Sequence, residues 1–390
     1  MNIVIVGGGL TGAHAVEELR KQGYDDDITL VAAERHLPYD RPPLSKDFLL
    51  GQAEIDSVYL HDARWYADHN VDLHLGTPVT ELDLDRSRVT VAGESVPYDR
   101  LLLATGSTPR RLPLVDTSGL QVTYLRTIDD ALTLKTRLSG HVLILGGGWI
   151  GLEVAAAARQ SGATVTLVER SPLPLLGVLG SELGRLFADL HRQHGVDLRL
   201  GTTAESIRGY EVVLSDGHRL VPDTVVVAIG ASPVTDVAAR AGLEVDNGVL
   251  VDARLRTRDP HVYAAGDVAN HDHPTIGRLR VEHWNNAIAQ GQHASRVMLG
   301  SDDPYTRHPY FFTDQYDLGM EFVGTTTGHD RLLIRGSVEE RVVTAFWLRR
   351  GTVIAGMHIN DWDAIEPIRR IVGQQATTQL FDPDVELARA

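Results

Sequence analysis

The sequence contains no cysteine among its 390 residues. A thiol nucleophile, a cysteine zinc site, a cysteine-ligated iron–sulfur cluster and a redox-active disulfide are therefore excluded. A chain of this length buries about three quarters of its extended surface on folding, so it needs neither disulfides nor a structural metal for stability. If the protein transfers electrons, a bound cofactor must do so without sulfur from the chain.

Positive charge and long apolar runs are also scarce. Only three of the 37 basic residues are lysines, and 52 acidic residues bring the formal net charge to −15. This balance argues against a nucleic-acid or anionic-membrane surface. No apolar run approaches the roughly 18 residues of a membrane span, and the N-terminus lacks the pattern of a signal peptide. We therefore expect a water-soluble protein that works in the cytoplasm.

Two βαβ units stand out in the pattern of the chain. Residues 2–6 form a β-branched run typical of a buried parallel strand, three glycines follow, apolar residues recur at helical spacing over 10–22, and 27–32 predict a second strand. The same order of strand, glycines, helix and strand recurs over 141–168. The separation of the two glycine runs, from Gly7 to Gly146, is too long for a solenoid repeat. It favours two homologous nucleotide-binding domains.

The remaining strands support an α/β fold with an additional domain. Further strands are predicted at 99–105, 223–229 and 262–265, and Asp246-Asn247-Gly248 is typical of a hairpin turn. From about residue 305 the chain carries short strand-like runs at 321–325, 331–335, 342–348 and 353–359, then a helical stretch at 362–372. These runs predict a separate antiparallel sheet with a helix.

The first glycine loop, Gly7 to Gly12, fits the pattern G-x-G-x-x-G between a strand and a helix. The first glycine allows the tight turn, the second lets the backbone approach a pyrophosphate, and the third lets helix pack on strand. The N-terminus of the helix then offers free N–H groups and a positive dipole to the phosphates. Glu34 ends the next strand, where a carboxylate can accept the ribose hydroxyls.

The second glycine loop, Gly146 to Gly151, repeats the pattern, and Glu169 takes the place of Glu34. A carboxylate there would repel a 2′-phosphate, which favours NADH over NADPH. The adjacent Arg170 leaves this preference open, because an arginine turned inward could bind that phosphate. Glu153 is either a surface carboxylate that serves the helix dipole or a cofactor contact.

Two dinucleotide sites imply two dinucleotides, and a flavin is the natural acceptor for a nicotinamide hydride.

Residues 39–46, Tyr-Asp-Arg-Pro-Pro-Leu-Ser-Lys, resemble the Y-x-R-P-P-L-S-K signature of the FAD-dependent, NADH-dependent ferredoxin reductases that serve bacterial cytochromes P450 and aromatic-ring dioxygenases. Residues 103–106, 125–127, 147–153, 263–268, 282–287 and 313–318 also match family positions. Glutathione reductase and apoptosis-inducing factor are similar in fold.

This resemblance implies the domain division and the roles of particular residues. FAD would bind to 1–108 and 244–303, NAD to 109–243, and a C-terminal α+β domain would cover 304–390. Asp267 would hold the ribityl chain, Trp284 would lie near the isoalloxazine ring and Lys46 near the flavin N5. A plain core aromatic is the alternative interpretation of Trp284. We assign catalytic roles to Lys46, Glu153 and Trp284.

The predicted binding residues form two sets. The FAD set is Gly7, Gly9, Thr11, Gly12, Glu34, Arg35, Arg41, Lys46, Val79, Ala104, Thr105, Gly106, Arg126, Gly266, Asp267 and Trp284. The NAD set is Gly146, Gly148, Ile150, Gly151, Glu153, Glu169, Arg170 and Gly230. No metal site is expected, because His271-Asp272-His273 is better explained as a solvated loop.

The expected activity is hydride transfer from NADH to FAD, followed by single-electron transfer to a ferredoxin-type iron–sulfur protein. Hydride transfer needs positioning rather than a general base. Two alternatives stay open: a reductase or oxidase of a small molecule, quinone or oxygen, and a redox-switched binding protein resembling apoptosis-inducing factor. The acceptor is expected near Tyr310 to Thr313, where Tyr310, Phe311 and Phe312 replace tryptophans frequent in the family. The identity of the acceptor and the oligomeric state are left open.

Overall fold

The computed structural model describes residues 1–387, and in it the chain divides into two compact units. The first unit comprises 1–42, 54–108 and 231–307, and the second comprises 43–53, 109–230 and the chain from 308 onward. A 3₁₀ turn, Pro42–Ser45, and a short strand, Ser107–Pro109, fall where the chain passes from one unit to the other.

The first unit is built on a parallel five-stranded sheet. Its strands are ordered Val262–Ala264, Arg100–Leu103, Ile3–Val6, Ile28–Val31 and Val71–His74. All four residues of the central strand are buried, which explains why its sequence is uniformly apolar instead of alternating. Because the strands are parallel, the loops after Val6 and Val31 open at the same edge of the sheet.

Helices and smaller sheets complete this unit. The further strands are Val79–Asp83, Arg88–Val91, Glu94–Pro97, Ala231–Pro233, Val249–Val251, Ala269–His273 and Gly277–Arg280. The helices are Leu10–Lys21, Ala63–Asp68, Asp236–Arg240 and Trp284–Met298, with 3₁₀ turns at Ile55–Val58 and Gly266–Val268. Helix Leu10–Lys21 packs tightly on Trp284–Met298, since a Cβ on Gly291 would lie 2.4 Å from the carbonyl oxygen of Thr11.

The second unit repeats the parallel sheet and adds an antiparallel one. The parallel strands are ordered Asp197–Leu200, Thr164–Glu169, His141–Leu145, Thr224–Val227 and Val122–Thr123. A second sheet is antiparallel, in the order Tyr310–Gln315, Leu318–Gly324, Thr352–Ile359, Val342–Arg349 and Arg331–Ser337. One hydrophobic cluster contains residues of both sheets, with Trp347 fully buried in it.

The remaining elements of this unit are short strands and helices. The strands are Ala204–Arg208, Glu211–Leu214 and Arg219–Leu220. The helices are Asp47–Leu50, Pro113–Asp116, Ile128–Lys135, Trp149–Gln160, Leu176–Leu179, Ser181–Gln193 and Ile365–Ile371, with a 3₁₀ turn at Gln379–Phe381. Within residues 1–387, no helix combines the length and the apolar composition that crossing a bilayer requires.

The predicted fold class is confirmed, while one local prediction is wrong and one strand was missed. The turn predicted at Asp246 to Gly248 is present, since an antiparallel bridge joins Val245 to Val249 across it, and strand Val249–Val251 also pairs in parallel with Ala269–His273. His271 and His273 belong to that strand and are 1% and 2% exposed, so they do not lie in a solvated loop. Tyr310–Gln315 is an edge strand that the sequence did not indicate as one.

Candidate functional site

The first glycine loop is shaped by two close contacts and one open position. A Cβ on Gly7 would lie 2.0 Å from the carbonyl oxygen of Ala104, and a Cβ on Gly12 would lie 2.0 Å from that of Gly7. A Cβ on Gly9 would meet nothing nearer than Arg41 Nη2 at 4.0 Å. Gly9 precedes the helix and provides no side-chain cap for its first N–H groups. This arrangement leaves room and hydrogen-bond donors for a pyrophosphate.

A carboxylate and a guanidinium stand beside this loop. Arg41 Nη2 donates to Glu34 Oε1 over 2.7 Å, and the hydroxyl of Tyr39 donates to the other oxygen over 2.5 Å. Glu34 follows strand Ile28–Val31, where the ribose of a dinucleotide is expected. Arg35 next to it is exposed. The structure therefore brings Glu34 and Arg41 together with the first glycine loop.

The loop that contains Gly266 and Asp267 is held by residues that sequence analysis missed. Ser107 Oγ donates to Asp267 Oδ2 over 2.8 Å, and the N–H of Gly266 donates to Gln290 Oε1 over 2.8 Å. Gln290 Nε2 in turn donates to His271 Nδ1 over 3.2 Å. Nothing in the local sequence pattern marked these residues, because they act through contacts between segments distant in the chain.

The other predicted FAD residues of the first unit are spread over four elements. Thr11 lies against Gly266, where an added Cβ would come within 2.2 Å of the Thr11 hydroxyl. Trp284 begins its helix, is half-buried, and donates from Nε1 to Asp40 Oδ1 over 2.8 Å. Val79 packs at the margin of the hydrophobic core. Ala104, Thr105 and Gly106 follow strand Arg100–Leu103, and Thr105 donates to the carbonyl of Val234 over 2.7 Å.

The second glycine loop has the same construction within the second unit. A Cβ on Gly146 would lie 2.3 Å from the carbonyl oxygen of Ala228, and one on Gly151 would lie 2.0 Å from that of Gly146. A Cβ on Gly148 would meet nothing within 4 Å. Gly148 precedes helix Trp149–Gln160 without a side-chain cap. The loop therefore fits a second pyrophosphate.

Glu169 is fixed beside this loop by the backbone. Its carboxylate accepts the N–H of Gly147 over 2.7 Å and the N–H of Ser171 over 2.7 Å. Arg170 is exposed, as is Ile150 at 43%. Gly230, with φ of 104°, lies in the loop after strand Thr224–Val227 and accepts a backbone hydrogen bond from Arg110. These placements put the predicted NAD residues at one edge of the second parallel sheet.

Lys46 and Glu153 form an ion pair in the second unit, with Nζ 2.8 Å from Oε1. The Glu153 carboxylate is 5% exposed and also accepts hydroxyl hydrogen bonds from Ser45 over 2.5 Å and from Thr313 over 2.6 Å. Its interpretation as a surface carboxylate is therefore wrong, because three donors from other elements surround it. Arg126, the other predicted FAD residue of this unit, precedes helix Ile128–Lys135.

Tyr310, Phe311 and Phe312 are half-buried on an edge strand, and the following Thr313 is buried. Phe311 packs on Trp149 with ring centroids 4.9 Å apart, and Lys46 Nζ lies 5.4 Å from the ring of Phe312. The following Asp314 shares the surroundings of Lys46. Burial raises the pKa of Asp314, and Glu153 acts in the same direction against the attraction of Lys46.

Comparison with known proteins decides the family. The family model described as pyridine nucleotide-disulphide oxidoreductase matches residues 1–291, and the model described as reductase C-terminal matches 310–390. The chain belongs to the pyridine nucleotide-disulphide oxidoreductase family.

Relatives that match over most of their length show which oxidoreductases of this family the chain resembles in sequence and fold. The ferredoxin–NAD(+) reductase component of the anthranilate 1,2-dioxygenase system of Burkholderia cepacia is 38% identical, with 98% of each chain covered. Putidaredoxin reductase of Pseudomonas putida is 36% identical over 92% of this chain and 88% of its own. A crystal structure of the covalent putidaredoxin reductase–putidaredoxin complex matches with a TM-score of 0.95 at 34% identity, covering 99% and 97%. The resemblance to the FAD-dependent NADH:ferredoxin reductases is thereby confirmed.

The cofactors of this oxidoreductase are FAD and NAD(H). The residues fit both groups. Each glycine loop leads into a helix whose N-terminal N–H groups have no side-chain cap. A Cβ added at Gly9 or Gly148 would have no contact shorter than 4 Å, so open space adjoins each helix N-terminus. A carboxylate stands at the end of the next strand in each case, Glu34 in the first unit and Glu169 in the second. Along the described chain, no three histidine or carboxylate side chains converge as metal ligands.

Replacing Glu169 with arginine should change the nicotinamide preference of this oxidoreductase. The substitution removes a carboxylate that would repel a 2′-phosphate, so we expect the ratio of kcat/KM for NADH to that for NADPH to fall about 100-fold. Glu169→Gln, which removes the charge and keeps an acceptor for one of the two N–H groups of Gly147 and Ser171, should give a smaller fall. Arg170→Ala is the control for the neighbouring charge, and an unchanged ratio in Glu169→Arg would remove Glu169 from this role.

Proposed function

We propose that this protein takes a hydride from NADH and passes the electrons singly to a ferredoxin-type iron–sulfur protein, which feeds a cytochrome P450 or a ring-hydroxylating dioxygenase. Supporting relatives are named as the ferredoxin–NAD(+) reductase component of an anthranilate 1,2-dioxygenase system and as a ferredoxin reductase for the CYP199A2 system. NADH is generated in the cytoplasm, and we propose that location for the reaction. The division into FAD-binding, NAD-binding and C-terminal domains is part of the same proposal.

The observation that carries this proposal is the lack of cysteine in a member of a family described by disulphide reduction. Disulfide reductases of this fold need a redox-active cysteine pair after the first Rossmann unit. This chain has Pro42, Pro43 and Lys46 in that segment instead. Without a thiol relay, the electrons must leave directly from the flavin to an external acceptor.

The residues of the chain act by binding and orientation. Bound FAD supplies the exchange between a two-electron hydride donor and one-electron acceptors. The glycine loops and the helix N-termini behind them hold the two pyrophosphates, while Glu34 and Glu169 are placed to accept ribose hydroxyls. We assign Lys46, Glu153 and Trp284 to catalysis and no residue to general base chemistry, because hydride transfer depends on positioning.

We place the acceptor near Tyr310 to Thr313 in the C-terminal domain. This segment is an edge strand with three half-buried aromatic side chains. Phe311 and Phe312 each pack on a neighbour inside the unit, so their exposed edges are held in fixed positions. A fixed aromatic edge is suited to brief docking of a small redox protein, because little side-chain entropy is lost.

The proposal is tested by reoxidation of the NADH-reduced enzyme in a stopped-flow instrument. The purified protein should carry one FAD per chain and bleach on anaerobic addition of NADH. We expect a ferredoxin-type protein such as putidaredoxin to restore the oxidised spectrum at least about tenfold faster than oxygen or a quinone. Faster reoxidation by a quinone or oxygen, with none by ferredoxins, would favour a small-molecule reductase. A long-lived charge-transfer complex with no accelerating acceptor would favour a redox-switched binding protein.

A further inference from the structure

A row of buried polar side chains leads away from the Lys46–Glu153 pair inside the second unit. Thr313 Oγ1 lies 2.6 Å from Glu153 Oε1, Gln315 Nε2 lies 3.2 Å from Thr313 Oγ1, and His191 Nε2 lies 2.9 Å from Gln315 Oε1. His191, Gln315 and Thr313 are each at most 1% exposed. We call these three residues the relay. It connects helix Ser181–Gln193 through strand Tyr310–Gln315 to the ion pair.

All donors of the relay point the same way. An ionised Glu153 can only accept, so the Thr313 hydroxyl donates to it and accepts from the amide N–H of Gln315. The amide oxygen of Gln315 then faces His191 and accepts its Nε2–H. His191 Nδ1 is buried and has no hydrogen-bond partner among residues 1–387, which suits an unprotonated nitrogen. One proton arrangement therefore satisfies every link.

The surroundings of Lys46 explain what such a relay would achieve. Besides Glu153, two further acidic residues, Asp47 and Asp314, line the same pocket as Lys46. A lysine ammonium is a flexible point charge, so Asp47 and Asp314 compete electrostatically with Glu153 for it. The Glu153 carboxylate accepts hydrogen bonds from both Ser45 and Thr313, and these fix its position.

We propose that His191, Gln315 and Thr313 are positioning residues that hold the Glu153 carboxylate in one orientation and thereby select it as the partner of Lys46. This inference rests on the proposed function, in which Lys46 and Glu153 serve the reaction. None of the three touches the reacting atoms. The relay acts through Glu153, so cutting any link should loosen Lys46, with an effect that decreases with distance from Glu153.

The lysine content of the chain allows a direct measurement. Lys21, Lys46 and Lys135 are its only lysines, so mass spectrometry after partial acylation reports on Lys46 with two internal references. The oxidised holoenzyme is labelled without NADH. In Thr313→Val, which removes the hydroxyl at nearly constant volume, we expect the labelling rate of Lys46 relative to the references to rise about fivefold. Thr313→Ser keeps the hydroxyl and should label like the wild type.

The remote links decide whether the relay extends to helix Ser181–Gln193. Gln315→Leu and His191→Phe should raise the Lys46 labelling rate less than Thr313→Val, while Lys21 and Lys135 react as before. If His191→Phe fails to fold, Gln315→Leu alone tests the extension. A wild-type labelling rate of Lys46 in Thr313→Val would overturn the proposal, and so would a wild-type rate in folded Gln315→Leu or His191→Phe. Equal labelling of Thr313→Ser and Thr313→Val would also overturn it.

A kinetic readout separates this inference from the proposed function. Thr313→Val should lower the limiting rate of flavin reduction by NADH with little change in the NADH concentration at half-saturation, and Thr313→Ser should restore that rate. Equal reduction rates in Thr313→Val and the wild type would count against positioning. If labelling and reduction change as expected but no ferredoxin reoxidises the enzyme, the relay stands and the proposed acceptor is wrong.

Discussion

Replacing Gly151 with alanine is expected to destabilise the second unit by about 3 kcal/mol or more. The added Cβ would lie 2.0 Å from the carbonyl oxygen of Gly146 and 3.5 Å from the Cβ of Ala228. The first of these neighbours is backbone at the end of the central strand, and it cannot move aside without breaking the turn. Helix Trp149–Gln160 would have to shift away from the sheet on which it packs.

Gly148→Ala is the matched control in the same loop. Gly148 has φ of −82°, which alanine adopts readily, and an added Cβ meets nothing within 4 Å. We expect nearly wild-type thermal unfolding for Gly148→Ala but about tenfold weaker NADH binding, because the methyl group occupies the approach to the helix N-terminus. Calorimetry and NADH titration measure the two effects. Equal unfolding temperatures for the two variants would contradict the packing role of Gly151.

The two glycine loops show what sequence reasoning predicts well. A strand, a glycine turn and a helix are local, and their spacing is dictated by the contacts of Gly7 and Gly12 with neighbouring carbonyl groups. The predicted strand over 141–145 agrees with the structure at both ends, and the helix predicted over 10–22 ends one residue early. The lack of cysteine is also visible in the sequence. It excludes a thiol relay and predicts that electrons pass directly from the flavin to the acceptor.

Burial of polar residues was the part that sequence reasoning could not predict. Glu153 follows the helix start and looks like a surface carboxylate, yet Lys46 and Thr313 from distant segments enclose it. His271 and His273 alternate with Asp272 in a polar stretch that resembles a loop. The strand that contains them is held by pairing with Val249–Val251 and Gly277–Arg280, which the local pattern does not reveal. Tertiary contacts decide burial at such positions.

These buried histidines lead to the second large expected effect, a loss of stability in mild acid. His191 is fully buried in the second unit and His271 is 1% exposed in the first. Burial lowers the pKa of His191 to about 4, against the raising effect of its hydrogen bond to Gln315. Burial also lowers the pKa of His271 to about 4, and the nearby His273 and Arg278 act in the same direction.

The sign of the effect follows from proton binding. An unfolded histidine has a pKa of about 6.5, so between pH 6.5 and 4 the unfolded chain binds more protons than the folded one and acid favours unfolding. The stabilisation is present above pH 6.5 and decreases towards pH 4. Between pH 7 and 5 we expect each histidine to reduce the unfolding free energy of its unit by about 2 kcal/mol. Urea unfolding followed at both pH values measures the loss.

Variants that cannot be protonated identify the residues responsible. His191→Gln retains a donor for Gln315, and His271→Asn retains an acceptor for Gln290, while neither gains charge in acid. Each variant should reduce the pH dependence by about 2 kcal/mol between pH 7 and 5. Its stability at pH 7 gives the packing cost of the substitution separately. Wild-type pH dependence in both variants would mean that these imidazoles accept protons in the folded protein without loss of stability, and the acid sensitivity would then originate in other groups.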